Sequence, residues 1–290
     1  MEHNAPPATR APLHRRLFVQ IGLSLFAMAS AGCVTTAGAS GGPVTSRAVS
    51  IPMSAGTASA LLYHPSGEGR WPAVLVWTDG TGLRPAYDAI GRKIAAEGYV
   101  VLIPNAYYRT TALDGRSDPP PAASAEQGRE RSTQWRAATT EEAVIADARA
   151  YLGFLDGHPQ VDAARKAGTL GFDYGSANAF HAARAVSNRI GAVAALYPSG
   201  TATPRPNSPH LFVNQSHAAY YVALARNDDA REPGDKDDYR NAFREAGLVG
   251  TVDVVPADHG FAISGEPAFN QSASDESLAR VIETFRRHLR

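Results

Sequence analysis

The chain has 290 residues, and its 28 lysines and arginines are balanced by 28 aspartates and glutamates. A formal net charge of zero removes the electrostatic case for nucleic acid or an anionic surface as partner. With 44% hydrophobic and 19% charged residues the composition excludes a disordered chain, and the length is enough for one large α/β core.

The N-terminus reads as an address. Arg15-Arg16 precedes an apolar run from Val19 to Ala31 that is shorter than a membrane span and flanked as a signal peptide is. The arginine pair resembles a twin-arginine export signal. The run closes on Ser30-Ala31-Gly32-Cys33. Cleavage before Cys33, with lipid on its sulfur, gives a membrane-anchored lipoprotein; cleavage after Ala31 releases a soluble periplasmic protein. The expected organisation is an export signal over 1–32, a small-residue tether over 33–46 and a folded domain over 47–290. Cys33 is the only cysteine, which excludes an internal disulfide and a thiol nucleophile in the folded part.

Beyond the tether the chain alternates. "AVSIP" and "SALLYHP" predict an antiparallel pair, and "PAVLVWT" (72–78) is a continuous apolar run, as in a strand covered on both faces. A helix opening at Leu83 follows, with Tyr87, Ile90, Ile94 and Ala95 on one stripe. After "YVVLIPN", residues 107–135 are polar and proline-rich, a surface excursion able to cover a site. Thr139 and Glu142 form a capping box for a helix with Val144, Ala148, Tyr151, Leu152 and Leu155 inward. "AGTLGF", "IGAVAALYP", "AYYVALA" and "TVDVVP" are further strands, separated by helices, with a last helix from about Ser274 to Leu289. This alternation predicts a mostly parallel sheet with helices on both faces.

In such sheets the site lies beyond the carboxyl ends of the strands. Four ends carry candidate chemistry: Asp79, Asp173, Asp228 and His259. Asp173 stands at the centre of Gly171-Phe172-Asp173-Tyr174-Gly175, where a G-x-S-x-G elbow has its nucleophile. Asp173, Asp228 and His259 follow the chain order of an α/β-hydrolase triad. Backbone N–H groups of Tyr174 and of Gly80 or Thr81 would form the oxyanion hole. Each residue also has a bland reading: Asp173 and Asp79 as helix N-caps, His259 as an ordinary surface or core histidine. The spacing matches no compact metal motif, so neither metal nor cofactor is expected.

The segments "PAVLVWTDGTGLRPAYDAIGRKIAAEGYVVLIPNAYYR", "ALARNDDAREPGDKDDYRNAFREAG" and "DHGF" resemble the dienelactone hydrolase family of the α/β-hydrolase fold. The resemblance implies hydrolysis of a small ester or lactone, with Asp228 as triad acid, His259 as base and Asp79 as the acidic residue beside the nucleophile. The family's elbow carries cysteine; this chain has Asp173 there and Ser176 in place of the second glycine. Three classes stay open. One is a hydrolase of the family type, with water activated by His259 and Asp228 and Asp173 in a supporting role. Another, similar at the elbow to haloalkane dehalogenases and epoxide hydrolases, is a hydrolase with a carboxylate nucleophile. The third is a non-catalytic binding protein. For the carboxylate class, Trp77, Tyr107, Tyr108 and Tyr174 are the candidate donors to a leaving group.

Overall fold

The computed structural model describes residues 42–290. The export signal, Cys33 and the tether up to residue 41 lie outside the described residues.

One sheet of eight strands organises the domain, in the order β1-β2-β4-β3-β5-β6-β7-β8. The strands are β1 (Val44–Met53), β2 (Gly56–Pro65), β3 (Ala73–Trp77), β4 (Val100–Pro104), β5 (Ala167–Phe172), β6 (Ile190–Leu196), β7 (Ala219–Ala225) and β8 (Gly250–Val255). β1 and β2 form an antiparallel hairpin, and β2 joins β4 antiparallel; every pairing from β4 to β8 is parallel. β1 starts three residues before Arg47 because the hairpin register runs on to Val44, opposite Pro65.

The central strands are apolar throughout because both faces are covered. Along β3, Ala73, Leu75 and Trp77 join one core with Ala148, Tyr151, Leu152 and Phe180. Val74 and Val76 join the other, with Ile90, Ile94, Val281 and Phe285. The helices supplying these layers are α1 (Tyr87–Ala96), α3 (Glu141–Asp156), α4 (Gly175–Ala185) and α7 (Gln271–His288). α5 (Arg226–Arg231) and α6 (Asp235–Glu245) connect β7 to β8.

Local chemistry moves two predicted boundaries and adds a helix. α1 begins at Tyr87, not Leu83, since a residue before proline is kept out of helical backbone and Arg84 precedes Pro85. α3 is capped by Thr140, whose side chain accepts the Ala143 N–H at 3.2 Å. The expected cap, Thr139, instead gives its N–H to Arg136 and belongs to the preceding turn. The excursion contains a helix, α2 (Ala125–Arg136), capped by Ser124 and burying none of its residues. Its base is tied down at both ends. Arg109 and Tyr108 hold buried Asp147 of α3, and Thr110 donates to the Trp135 carbonyl at 2.8 Å.

Candidate active site

Asp173 follows directly on β5, and its φ of +48° lies in the left-handed region. That conformation costs a residue with a Cβ on the order of 1 kcal/mol or more, so the surroundings must impose it. They do so by close packing. A Cβ on Gly171 would sit 2.3 Å from the Gly175 carbonyl oxygen, and one on Gly175 would sit 2.4 Å from the Thr78 carbonyl oxygen. α4 therefore comes down on β5 and β3 so tightly that only glycine fits on either side of Asp173. This is the strained strand-to-helix elbow that lifts a side chain above the sheet.

The N-cap reading of Asp173 does not describe this geometry. α4 is capped at Tyr174 with no side-chain cap bond. The Asp173 carboxylate points instead away from the helix, beyond the carboxyl ends of the strands, where Oδ1 is 3.3 Å from His259 Nε2 and Oδ2 accepts the Gly80 N–H at 3.4 Å. On the far side of the imidazole, Asp228 Oδ2 meets Nδ1 at 2.6 Å. Asp228 lies in the first turn of α5 rather than on a free strand end, and its Oδ1 accepts from Arg231 at 2.7 Å. The neighbouring Asp229 is engaged by Lys236. Asn227 Oδ1 takes the His259 N–H at 2.9 Å, and the Tyr197 ring stands edge-on to the imidazole at 5.0 Å. Tyr197 is itself a left-handed residue, at φ +38°.

A histidine between two carboxylates holds its proton. Burial alone would lower the His259 pKa; the hydrogen bonds to Asp173 and Asp228, with their charges, outweigh it and push the value up to about 9. Burial would raise Asp228, but His259 and then Arg231 bring it below the usual carboxylate range. In the resting site an imidazolium thus bridges two carboxylates at neutral pH.

Asp79 reaches the same cavity without capping a helix. Its two oxygens take Arg84 Nη1 and Nη2 at 2.7 and 2.9 Å, and Arg84 also meets Glu266 at 2.6 Å. Oδ1 further accepts the Thr81 N–H at 3.0 Å. Thr81 is therefore committed to Asp79, and Gly80 is the residue whose N–H faces Asp173. Of the two acidic residues at the cavity floor, Asp79 is answered by the buried Arg84 guanidinium. Neither Arg84 nor Glu266 stands out in the sequence. The one local sign is an arginine between Gly82 and Pro85 in a turn that folds back on Asp79.

The cavity above the elbow measures about 480 Å³. Its floor is Asp79, Gly80, Asp173, Tyr174, Tyr197 and His259; a further wall is α2, through Arg129, Arg131, Ser132 and Arg136. Arg136 lies over the Tyr174 ring at 3.6 Å and donates to Ser132 Oγ at 3.4 Å. Of the aromatic donors considered from sequence, only Tyr174 faces this space unbonded. Trp77 donates to Thr169, Tyr107 to the Asp79 carbonyl and Tyr108 to Asp147.

The model of the dienelactone hydrolase family matches residues 58–289. The chain belongs to the dienelactone hydrolase family. A Synechocystis protein named for carboxymethylenebutenolidase is 23% identical over 248 residues, covering 83% of this chain and 96% of its own. The crystal structure of a Klebsiella pneumoniae protein described as a dienelactone hydrolase superposes with a TM-score of 0.72 at 20% identity, over 85% of this chain and 100% of that one. A dienelactone hydrolase-like promiscuous phosphotriesterase, P91, from metagenomic libraries gives 0.68 at 19%, over 86% and 100%. The fold is thus that of the α/β-hydrolases. In this chain Asp228 and His259 stand behind an elbow whose tip is the carboxylate of Asp173.

Proposed function

We propose that the protein is a hydrolase in which the Asp173 carboxylate is a covalent nucleophile toward an sp³ carbon bearing a leaving group, either a carbon–halogen bond or an epoxide. The observation that carries this reading is the direction of Asp173: a left-handed elbow residue whose carboxylate ignores the helix below it and lies against His259 Nε2 and the Gly80 N–H. Attack on an ester or lactone carbonyl would give an anhydride, a high-energy product. Hydrolysis of a small ester or lactone, which family membership suggests, therefore lacks a suitable nucleophile in this elbow.

The charges time the steps. An Asp173 oxygen forms a C–O bond as the bond to the leaving group breaks, and the leaving group departs with the electron pair. Esterified Asp173 is neutral, so His259 loses one of the two carboxylates that hold its proton and its pKa falls. The proton passes to solvent. Neutral His259, oriented by Asp228, then takes a proton from water, whose oxygen adds to the Asp173 ester carbonyl while Gly80 N–H receives the oxyanion. Collapse releases the alcohol and leaves one water oxygen in the carboxylate.

A single turnover in ¹⁸O-labelled water should place label in the peptide containing Asp173, read by mass spectrometry, and Asp173→Asn should abolish it. Unlabelled Asp173 after turnover sinks the reading. If the elbow instead merely lost the family's thiol, Asp173→Cys would restore ester cleavage by orders of magnitude, since Asp228 and His259 can activate a thiol.

For location, we propose export to the periplasm with attachment through a lipidated Cys33. The support is Arg15-Arg16 ahead of a short apolar run that ends in small residues and cysteine.

A further inference from the structure

Displacement at an sp³ carbon sends the leaving atom away from the attacking oxygen, so a carboxylate nucleophile makes only part of a site. Another wall must receive the charge that departs. The elbow floor does not supply it: the Trp77, Tyr107 and Tyr108 donors are bonded elsewhere, and the Tyr197 hydroxyl is sealed in the core without a partner. The α2 wall does. Ser132 Oγ lies 2.5 Å from the point where a Cβ on Gly80 would stand, while Asp173 Oδ2 is 3.5 Å from that same point. The hydroxyl is thus brought down beside the nucleophile. Arg136 is seated on Tyr174, the residue after the nucleophile, and holds Ser132 through Nε. Arg129 lines the same cavity and makes no ion pair among the described residues. α2 packs on the cores through Trp135 and turns Arg129, Ser132 and Arg136 toward the cavity.

We infer that α2 carries an anion site, formed by Ser132, Arg136 and Arg129, that receives the leaving group, and that the substrate is one whose leaving group departs as a stable halide rather than as an alkoxide. This rests on the carboxylate-nucleophile reading. The chemistry of the donors selects the class. An alkoxide must be protonated as it forms, and a guanidinium does not give up a proton near neutral pH. A halide asks only for charge and hydrogen bonds, which Arg136, Arg129 and Ser132 offer. In the step the C–X bond breaks as Asp173 forms its ester, X⁻ leaves with both electrons onto the α2 wall, and nothing is oxidised or reduced. The His259 imidazolium lies against Asp173, on the attacking side, and the Tyr197 hydroxyl is sealed in the core; Tyr174 is the remaining cavity phenol that could protonate an alkoxide, so it belongs in the test.

The test uses the intact protein and two readouts. Sodium bromide titrated at constant ionic strength should change the fluorescence of Trp135, on α2, saturably, and Arg136→Gln should weaken that binding on the order of tenfold or more. Alkylation of Asp173, followed by mass spectrometry, should be slowed by Arg136→Gln and by the milder Ser132→Ala far more with 1-chlorobutane than with 1-iodobutane. The slowing should be on the order of a hundredfold for the poorer leaving group. The inference is overturned if bromide binding does not saturate or ignores both variants. It is equally overturned if 1,2-epoxyhexane alkylates Asp173 faster than 1-chlorobutane in a Tyr174-dependent way, lost in Tyr174→Phe. Bromide binding that needs Arg136, together with an Asp173 that no probe alkylates, removes the nucleophile and keeps the anion site.

Discussion

Replacing Asp173 by asparagine deletes one charge from the Asp173–His259–Asp228 bridge and changes the shape of the site little. His259 is pushed from 6.5 to about 9 chiefly by hydrogen bonds to the two aspartates, and Asp173 is the larger of the two contributions. The His259 midpoint in Asp173→Asn should therefore fall clearly below that of wild type, with Asp228 still in place to hold it above the ordinary histidine value. The change reaches stability by linkage. His259 binds its proton more tightly folded than unfolded, so the bridge adds its full stability below about pH 6.5 and loses it as pH rises to about 9. The shift corresponds to at most about 3 kcal/mol, and screening at a side chain 31% exposed reduces this toward about 1–2 kcal/mol. Wild type should lose that much between pH 6.5 and 9 in urea titrations, and Asp173→Asn should lose less. The imidazole titration itself is readable by NMR. Because the chain has nine histidines, the His259 signal is assigned by its absence in His259→Gln. A midpoint unmoved in Asp173→Asn refutes the contact, and with it the timing that makes His259 a base only after Asp173 is esterified.

Gly175→Ala should abolish activity and cost roughly 2–4 kcal/mol in denaturant unfolding, because its methyl meets backbone of β3 that cannot retreat. Arg84→Ala strips a buried carboxylate of its bidentate partner and should destabilise by about 3–5 kcal/mol, whereas a change below 1 kcal/mol would mean that water already serves Asp79. Cys33→Ser should move the protein from the membrane fraction to the soluble periplasm, judged by fractionation; an intact N-terminus on a cytoplasmic protein refutes export.

The parts that were legible in the sequence are those with local signatures. β3 to β7 are apolar runs because parallel strands are covered twice, and Asp173, Asp228 and His259 keep triad order because each sits just past a strand. α2 carried no such sign. Its "AEQGRERSTQWR" is polar but for Trp135, since most of the helix lies over a cavity, and periodicity finds only helices with an apolar stripe. Arg84 and Glu266 were invisible for another reason: they are 182 residues apart, and their pairing exists only once the sheet brings the turn after β3 against the loop after His259. The boundary errors are smaller and local, Pro85 delaying α1 and Thr140 taking the cap from its neighbour.

The Asp79–Arg84–Glu266 linkage has a meaning for how this site could change over generations. It clips the turn that carries Gly80 to the loop that carries His259 without touching residue 173. Asn227 and Asp228 fix the imidazole from the other side, also without it. The histidine, the acid and the oxyanion donor are therefore held by a frame that does not depend on the side chain at the elbow tip. On the proposed mechanism, a codon change there would trade one nucleophile for another inside a cage that stays assembled, so the class of bond attacked would switch while the fold and the His259–Asp228 pair are inherited intact.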